Sequence, residues 1–185
     1  MNPAPSASVL EFEVYLLATM KYGMLAREAE REAKLADYGL SFGDSERIHH
    51  RVAELLADRC TQFDNLRRLV GAGSPGSDSI VFSGILWPEF DFTAFSDSSG
   101  AISSARYRRA RGHVSGAASP PQQPPWSMDV HDFTRHFGPT TIGYRSDLFD
   151  EVLPAHEGHD FDWDGRPYRA GFSWGLFLFA SLMWT

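Results

Sequence analysis

The spacing of apolar residues changes from helical to alternating between residues 71 and 79, and that change constrains the fold more than any other feature. Before it, apolar side chains recur every three or four residues, which is typical of amphipathic helices. The segment itself, GAGSPGSDS, has the composition of a linker. After it, apolar and polar residues alternate as they do in strands. At 185 residues, the chain is therefore predicted to form a single domain of the α+β class over residues 1–185.

Residues 8–70 are predicted to form an antiparallel helical hairpin that packs on a small antiparallel sheet. Ser8 and Glu11 have the spacing of a capping box, so the first helix is expected to run from Ser8 to Tyr38. The second helix is expected from Ser45 to Val70, where a glycine follows. The short link between them favours an antiparallel arrangement.

Residues 79–114 are predicted to form strands. The expected strands are Ser79–Ile85, Phe90–Phe95 and Ala101–Arg109, with a turn near residue 100. Residues 115–127, SGAASPPQQPPWS, follow and are interpreted as an exposed, proline-rich spacer.

Residues 128–185 are predicted to hold short helices and a closing hairpin. Two helices are expected, Met128–Phe137 and Ser146–Leu153. Asp164 and Gly165 form the predicted turn between Asp160–Trp163 and Arg166–Trp174.

The last sixteen residues, AGFSWGLFLFASLMWT, carry no charge. A membrane-spanning helix needs about 20 apolar residues, so the aromatic-rich run favours a strand buried on both faces. A second interpretation is an accessory subunit that docks through this apolar C-terminus.

Charge and cysteine content exclude several classes of function. The net charge of −7 disfavours sequence-independent binding of nucleic acid. Cys60 is the only cysteine, so no disulfide forms within the chain; its spacing in the second predicted helix indicates a buried thiol. The N-terminal residues lack the pattern of a secretory signal, and we expect a cytoplasmic protein with no membrane partner.

A carboxylate-rich stretch late in the chain is the main functional signal. Between Arg145 and Arg166 there are seven carboxylates and no lysine or arginine. Such a surface attracts a basic protein, and neighbouring aromatic residues supply anchors. The leading hypothesis is a small acidic binding or inhibitory protein, similar in class to an immunity protein. Its predicted partner-binding residues are Asp147, Asp150, Glu151, Glu157, Asp160, Asp162, Trp163, Asp164 and Tyr168.

The alternative hypothesis is a metal-dependent enzyme with a site near residues 131–160. Imidazole and carboxylate ligands suit a divalent transition metal. The candidate ligands are His131, His136, His156, His159 and Asp160. The triplet Asp160, Asp162 and Asp164 also resembles half of a calcium loop, but Gly171 stands where that loop needs glutamate. No cofactor is expected under the leading hypothesis.

One basic cluster interrupts the acidic composition. Arg106, Arg108, Arg109 and Arg111 lie close together, and on a strand Arg106 and Arg108 share one face. The cluster is interpreted either as an anion-binding surface or as charges that protect an exposed edge strand from aggregation. No nucleophile elbow, Walker loop or dinucleotide-binding glycine motif is present, which favours binding over catalysis.

Overall fold

The computed structural model describes residues 7–20, 28–74, 76–114, 116, 118–147 and 154–183. Its α-helices are α1 (Ala7–Thr19), α2 (Glu28–Ala36), α3 (Phe42–Leu56), α4 (Gln62–Val70) and α5 (Val130–Phe137). Its strands are β1 (Ser79–Ser83), β2 (Phe90–Ser96), β3 (Ile102–Arg109), β4 (Thr141–Asp147), β5 (Pro154–Trp163), β6 (Arg166–Ser173) and β7 (Leu176–Leu182). The α+β class is therefore confirmed, with two antiparallel sheets.

Helix α1 is buried on nearly all sides, because apolar residues surround its axis. Phe12, Val14, Leu16 and Leu17 have no exposed surface. Helices α3 and α4 pack on one side of α1, and the inner face of the first sheet packs on another. By contrast, most of α2 is solvated and only Leu35 is buried.

The two long helices of the predicted hairpin are interrupted. The first stops at Thr19, with Met20 outside the helix, and α2 begins at Glu28; residues 21–27 lie outside the described residues. A single helix from Ser8 to Tyr38 is therefore not formed. The second stops at Leu56, because Asp58 folds a turn in which its carboxylate accepts the Cys60 N–H at 3.0 Å and the Thr61 hydroxyl at 3.0 Å. The prediction of one helix from Ser45 to Val70 is therefore wrong, and Cys60 is exposed in this turn instead of buried in a helix.

The first sheet has the order β1-β2-β3, with both pairs antiparallel. Ile80, Phe90, Phe92 and Tyr107 point into the core beneath α1. The three predicted strands of residues 79–109 are thus confirmed, with β1 ending two residues early at Ser83. Beyond it, residues 84–89 form a loop in which the Gly84 N–H donates to the Phe90 carbonyl.

The second sheet has the order β4-β5-β6-β7, all antiparallel. Asp164 and Gly165, at φ 51° and 70°, join β5 to β6, so the predicted hairpin turn is confirmed. Helix α5 covers one face of this sheet, where Phe133 packs on Phe161, Phe172 and Phe177. The predicted helix Ser146–Leu153 is wrong at its start, because residues 146 and 147 belong to β4. The rest of that prediction, residues 148–153, lies outside the described residues.

Strand β7 is the core strand that the uncharged C-terminal run predicts. Leu176 and Leu178 enter the core around α1, whereas Phe177 and Ala180 enter the core beneath α5. The chain reverses into β7 through Trp174 and Gly175, at φ 52° and 79°. Because β7 joins both cores, it links the two sheets through buried contacts. No helix in the described part of the chain is long and apolar enough to span a membrane.

The proline-rich segment is only partly exposed, because three of its described residues pack against the fold whereas Pro121, Gln122 and Pro124 remain exposed. Pro120–Gln122 form one 3₁₀ turn, and Pro120, Gln123 and Trp126 are buried. The Trp126 N–H donates to the Phe177 carbonyl at 2.7 Å, and its indole N–H lies 3.2 Å from the Met20 sulfur. The interpretation as an exposed spacer is therefore wrong at the three buried positions, because Trp126 anchors the segment onto β7.

Candidate functional site

A cleft of about 500 Å³ lies where the two sheets meet. Residues 103–108 of β3 form one wall, and the opposite wall comes from β4 and β5. The start of α5 and the Trp174–Gly175 turn complete the lining. This volume falls within the range of about 300 to 1,000 Å³ that is usual for ligand sites.

Arg109 fixes one wall of the cleft by tying β3 to α5. Its Nε donates to Asp132 Oδ2 at 2.6 Å, and its Nη2 donates to the Ser127 carbonyl at 2.6 Å. The guanidinium also stacks on Phe90, 4.6 Å from the ring centre. Asp129 caps α5 by accepting the Asp132 N–H, and it accepts the Arg109 N–H as well. A largely buried, multiply bonded arginine of this kind is a structural element and is not open to a ligand.

Arg106 and Arg108 face the cleft from the other side of β3. Both side chains are exposed and both line the cleft, whereas Arg109 points away from it into contacts with α5. Neither Arg106 nor Arg108 forms an ion pair with a residue that the structure describes. Each therefore presents guanidinium donors that are open to an anion.

Arg145, Glu157 and His159 form the opposite wall. Arg145 Nε lies 3.1 Å from Glu157 Oε1, and His159 Nε2 lies 3.1 Å from Glu157 Oε2. The hydrogen bond with His159, together with the charges of Arg145 and, more weakly, Arg106, lowers the pKa of Glu157 below its usual value. Glu157 is therefore ionised, and each of its oxygens already has a partner on its own wall of the cleft.

The predicted metal ligands do not converge. His159 Nδ1 lies 3.0 Å from the Thr140 hydroxyl, and His156 Nε2 lies 3.0 Å from the Tyr144 hydroxyl. His131 Nε2 lies 2.6 Å from Arg135 Nη2, and His136 packs edge-on against Phe137. Across the described ranges, no group of three or more His, Cys, Asp or Glu side chains is arranged to hold a metal ion. The metal-dependent enzyme stays a prediction without an assembled ligand set.

The predicted acidic surface is divided by the chain's own arginines. Arg169 binds Asp160 through two hydrogen bonds, of 2.6 and 2.9 Å, and this contact lowers the pKa of Asp160. Asp162 and Asp164 stay exposed at the β5–β6 hairpin. Trp163 and Tyr168 are half-buried there and pack edge to face, with ring centres 6.0 Å apart.

Three further acidic residues were predicted to bind a partner: Asp147, Asp150 and Glu151. Only one of them lies in the described part of the chain. Asp147 ends β4, whereas Asp150 and Glu151 lie outside the described residues. Within the described part of the chain, the basic-partner hypothesis therefore depends on Asp162 and Asp164.

Sequence reasoning missed Glu13, a carboxylate with no exposed surface. Its Oε2 accepts the N–H groups of Ile85 and Leu86 at 2.8 and 2.7 Å, and its Oε1 accepts the Tyr107 hydroxyl at 2.7 Å. Burial raises the pKa of Glu13 despite these donors. The only sequence signal is one acidic residue inside an otherwise apolar helical segment, FEVYLL.

No protein-family model matches the sequence, and no curated protein or solved structure is significantly similar to it. The geometry of the cleft is therefore the basis on which a function can be proposed.

Proposed function

We propose that this protein is a binding protein whose cleft receives an anionic group of its ligand. The observation that carries the proposal is the pair Arg106 and Arg108, which line the cleft without an ion-pair partner among the described residues. Arg145 adds a third guanidinium on the opposite wall. Guanidinium groups bind carboxylates and phosphates through paired, charge-assisted hydrogen bonds.

The carboxylates of the cleft support the same proposal, because both already have partners. Glu157 is held by Arg145 and His159. Asp129 is held by backbone N–H groups at the start of α5 and in β3. An anion that enters the cleft therefore meets two open arginines and no unpartnered carboxylate among the described lining residues.

Calorimetric titration tests the proposal with two probes that carry anionic groups on different scaffolds. One is inorganic pyrophosphate, and the other is a capped hexapeptide that alternates threonine with glutamate. We expect at least one probe to bind the wild-type protein and the double variant Arg106→Gln/Arg108→Gln to weaken that binding at least tenfold, because hydrogen bonds to charged groups are worth about 1.5 to 3 kcal/mol each.

Arg68→Gln is the matched control, since Arg68 is exposed on α4 and does not line the cleft. Its affinity for both probes should equal that of the wild type, and near-ultraviolet circular dichroism should show that all variants are folded. If neither probe binds, or if the double variant binds as tightly as the wild type, the proposal is wrong.

A second candidate function is engagement of a basic protein partner, as an immunity or inhibitory protein does. It is favoured by the exposure of Asp162 and Asp164 beside Trp163 at one hairpin. A capped hexapeptide that alternates threonine with lysine is the probe. This function predicts binding that is lost in Asp162→Asn/Asp164→Asn and kept in Arg106→Gln/Arg108→Gln. Binding of only the glutamate peptide would favour the cleft instead.

A further inference from the structure

The edge of β3 borders the cleft along six consecutive residues, 103–108. In the sheet order β1-β2-β3, β3 pairs with β2 on one side and has no further strand of its sheet on the other within the described chain. An edge strand with open backbone groups is a template for an added strand. The backbone here is therefore as much a part of the site as the arginine side chains.

Two hydrogen bonds establish which backbone groups of β3 face outward. The Tyr107 N–H donates to the Trp174 carbonyl at 2.7 Å, and the Arg109 N–H donates to Asp129 Oδ2 at 2.7 Å. Both bonds point away from β2. Because bonding residues alternate in an antiparallel ladder, the N–H and C=O of Ala105 also point away from β2. No described residue pairs with them.

The outward groups and the arginines have the spacing of a strand-recognition site. Arg106 and Arg108 project from the same face of β3, two residues apart. A strand laid beside β3 also presents every second side chain on that face. While the backbone of such a strand pairs with Ala105, a carboxylate on that face would meet Arg106, and Arg108 stands two residues farther along the same face.

We propose that the ligand of the cleft is an extended acidic segment of a partner protein, which adds as a short fourth strand beside Ala105 on the edge of β3. This inference rests on the proposed function, since it names the carrier of the anionic group. The main-chain bonds supply affinity, and the alternate carboxylates supply selectivity, as in other cases of strand addition. The Trp174–Gly175 turn already contacts the edge at Tyr107, so the added strand pairs N-terminal to that residue.

Selective methylation of the peptide backbone tests the strand geometry on the unmodified protein. The threonine–glutamate hexapeptide is compared with two forms that are N-methylated on alternate residues, one set at the threonines and the other at the glutamates. Each set removes the N–H groups along one edge of the extended peptide and leaves its charge unchanged. We expect one set to weaken binding at least tenfold and the other to weaken it much less, because only one edge faces β3. A threonine–glutamine hexapeptide, which lacks the charge, should also bind at least tenfold more weakly.

Failure of strand addition and failure of the anion site give different results. If pyrophosphate binds in a manner that needs Arg106 and Arg108 but the hexapeptide does not bind, strand addition is wrong and the anion site stands. Equal affinity for both methylated peptides and the parent peptide likewise overturns strand addition. If neither pyrophosphate nor the peptide binds, both proposals fail. In that case the arginines act only as charges that protect an edge strand.

Discussion

Asp132 holds Arg109 in the wall of the cleft through a largely buried ion pair. Its side chain is 5 % exposed and pairs with Arg109, which is 11 % exposed. Removing one member of a buried ion pair is strongly destabilising, and without Asp132 the Arg109 guanidinium keeps only the exposed Glu89 carboxylate, 3.9 Å away. We therefore expect Asp132→Ala to lower the free energy of unfolding by about 3 kcal/mol, measured by urea denaturation.

Asp64→Ala is the control for this prediction. Asp64 also pairs with an arginine, Arg67, at 2.8 Å, but its side chain is 58 % exposed. An exposed pair contributes at most about 1 kcal/mol. Equal losses in the two variants would show that Arg109 does not depend on its buried partner.

Glu13 gives a prediction about pH. Burial raises its pKa in the folded protein above the ordinary value of 4.5, so the folded state keeps this proton to higher pH than the unfolded chain. The stability that neutral Glu13 contributes is therefore present below pH 4.5 and is lost as the pH rises through the folded pKa. Glutamine is neutral throughout, so Glu13→Gln should gain stability relative to the wild type as the pH rises from about 4 to about 8.

Urea denaturation of both proteins across this pH range measures the difference directly. Glu46→Gln is the control because Glu46 is exposed on α3. The difference in free energy of unfolding between this variant and the wild type should stay nearly constant with pH. A difference between Glu13→Gln and wild type that stays constant with pH would contradict a raised pKa for Glu13.

At the scale of elements, Gly100 joins the helical part to the first sheet. It lies in the β2–β3 turn at φ 89°, and a Cβ built there would lie 2.4 Å from the Cys60 carbonyl oxygen. The Gly100 carbonyl also accepts the Phe63 N–H at the start of α4. A side chain here would push apart two backbone segments that the fold holds in contact.

Comparing Gly100→Ala with Gly165→Ala isolates that contact. Gly165 also has a positive φ, 70°, but a Cβ there has nothing within 4 Å. Positive φ alone costs alanine about 1 to 2 kcal/mol, and forced overpacking adds about 1 to 3 kcal/mol. Thermal unfolding should thus show a clearly larger loss of stability for Gly100→Ala than for Gly165→Ala. Equal losses of stability would mean that the turn and the helices are not in contact.

The elements that could be predicted well from sequence are those with a strong local signal. Asp164–Gly165 has the residue types of a tight hairpin turn. Strand β7 has apolar residues on both faces, as a strand between two cores requires. The break at residues 57–61 was missed because Leu55, Leu56 and Phe63 continue a helical spacing across it. The competing signal was Asp58, whose side chain bonds to the backbone two residues later.

At the scale of the whole molecule, the candidate site was not predictable because it is built from distant segments. The strand pattern identified Arg106 and Arg108 as sharing a face, and residue type identified His131, His156 and His159 as candidates. No local pattern indicated that the β3 edge meets the turn at Trp174 and the wall formed by β4 and β5. That contact depends on how the two cores pack around β7.

The charge of the molecule also has to be considered as a whole. The chain carries a net charge of −7, yet two open arginines lie in its cleft, and two of its predicted docking carboxylates, Glu157 and Asp160, are paired internally. Long-range attraction therefore favours cationic partners, whereas short-range hydrogen bonding in the cleft favours anions. Binding of an acidic segment in the cleft depends on the short-range contacts outweighing the long-range repulsion.

The most direct test is a nuclear magnetic resonance titration of the ¹⁵N-labelled full chain with the threonine–glutamate hexapeptide. We predict that the largest shifts of backbone amide signals fall in residues 103–108, 130–134 and 142–145, and that they disappear in Arg106→Gln/Arg108→Gln. Shifts centred on the hairpin of residues 160–168, or no shifts at all, would contradict binding in the cleft.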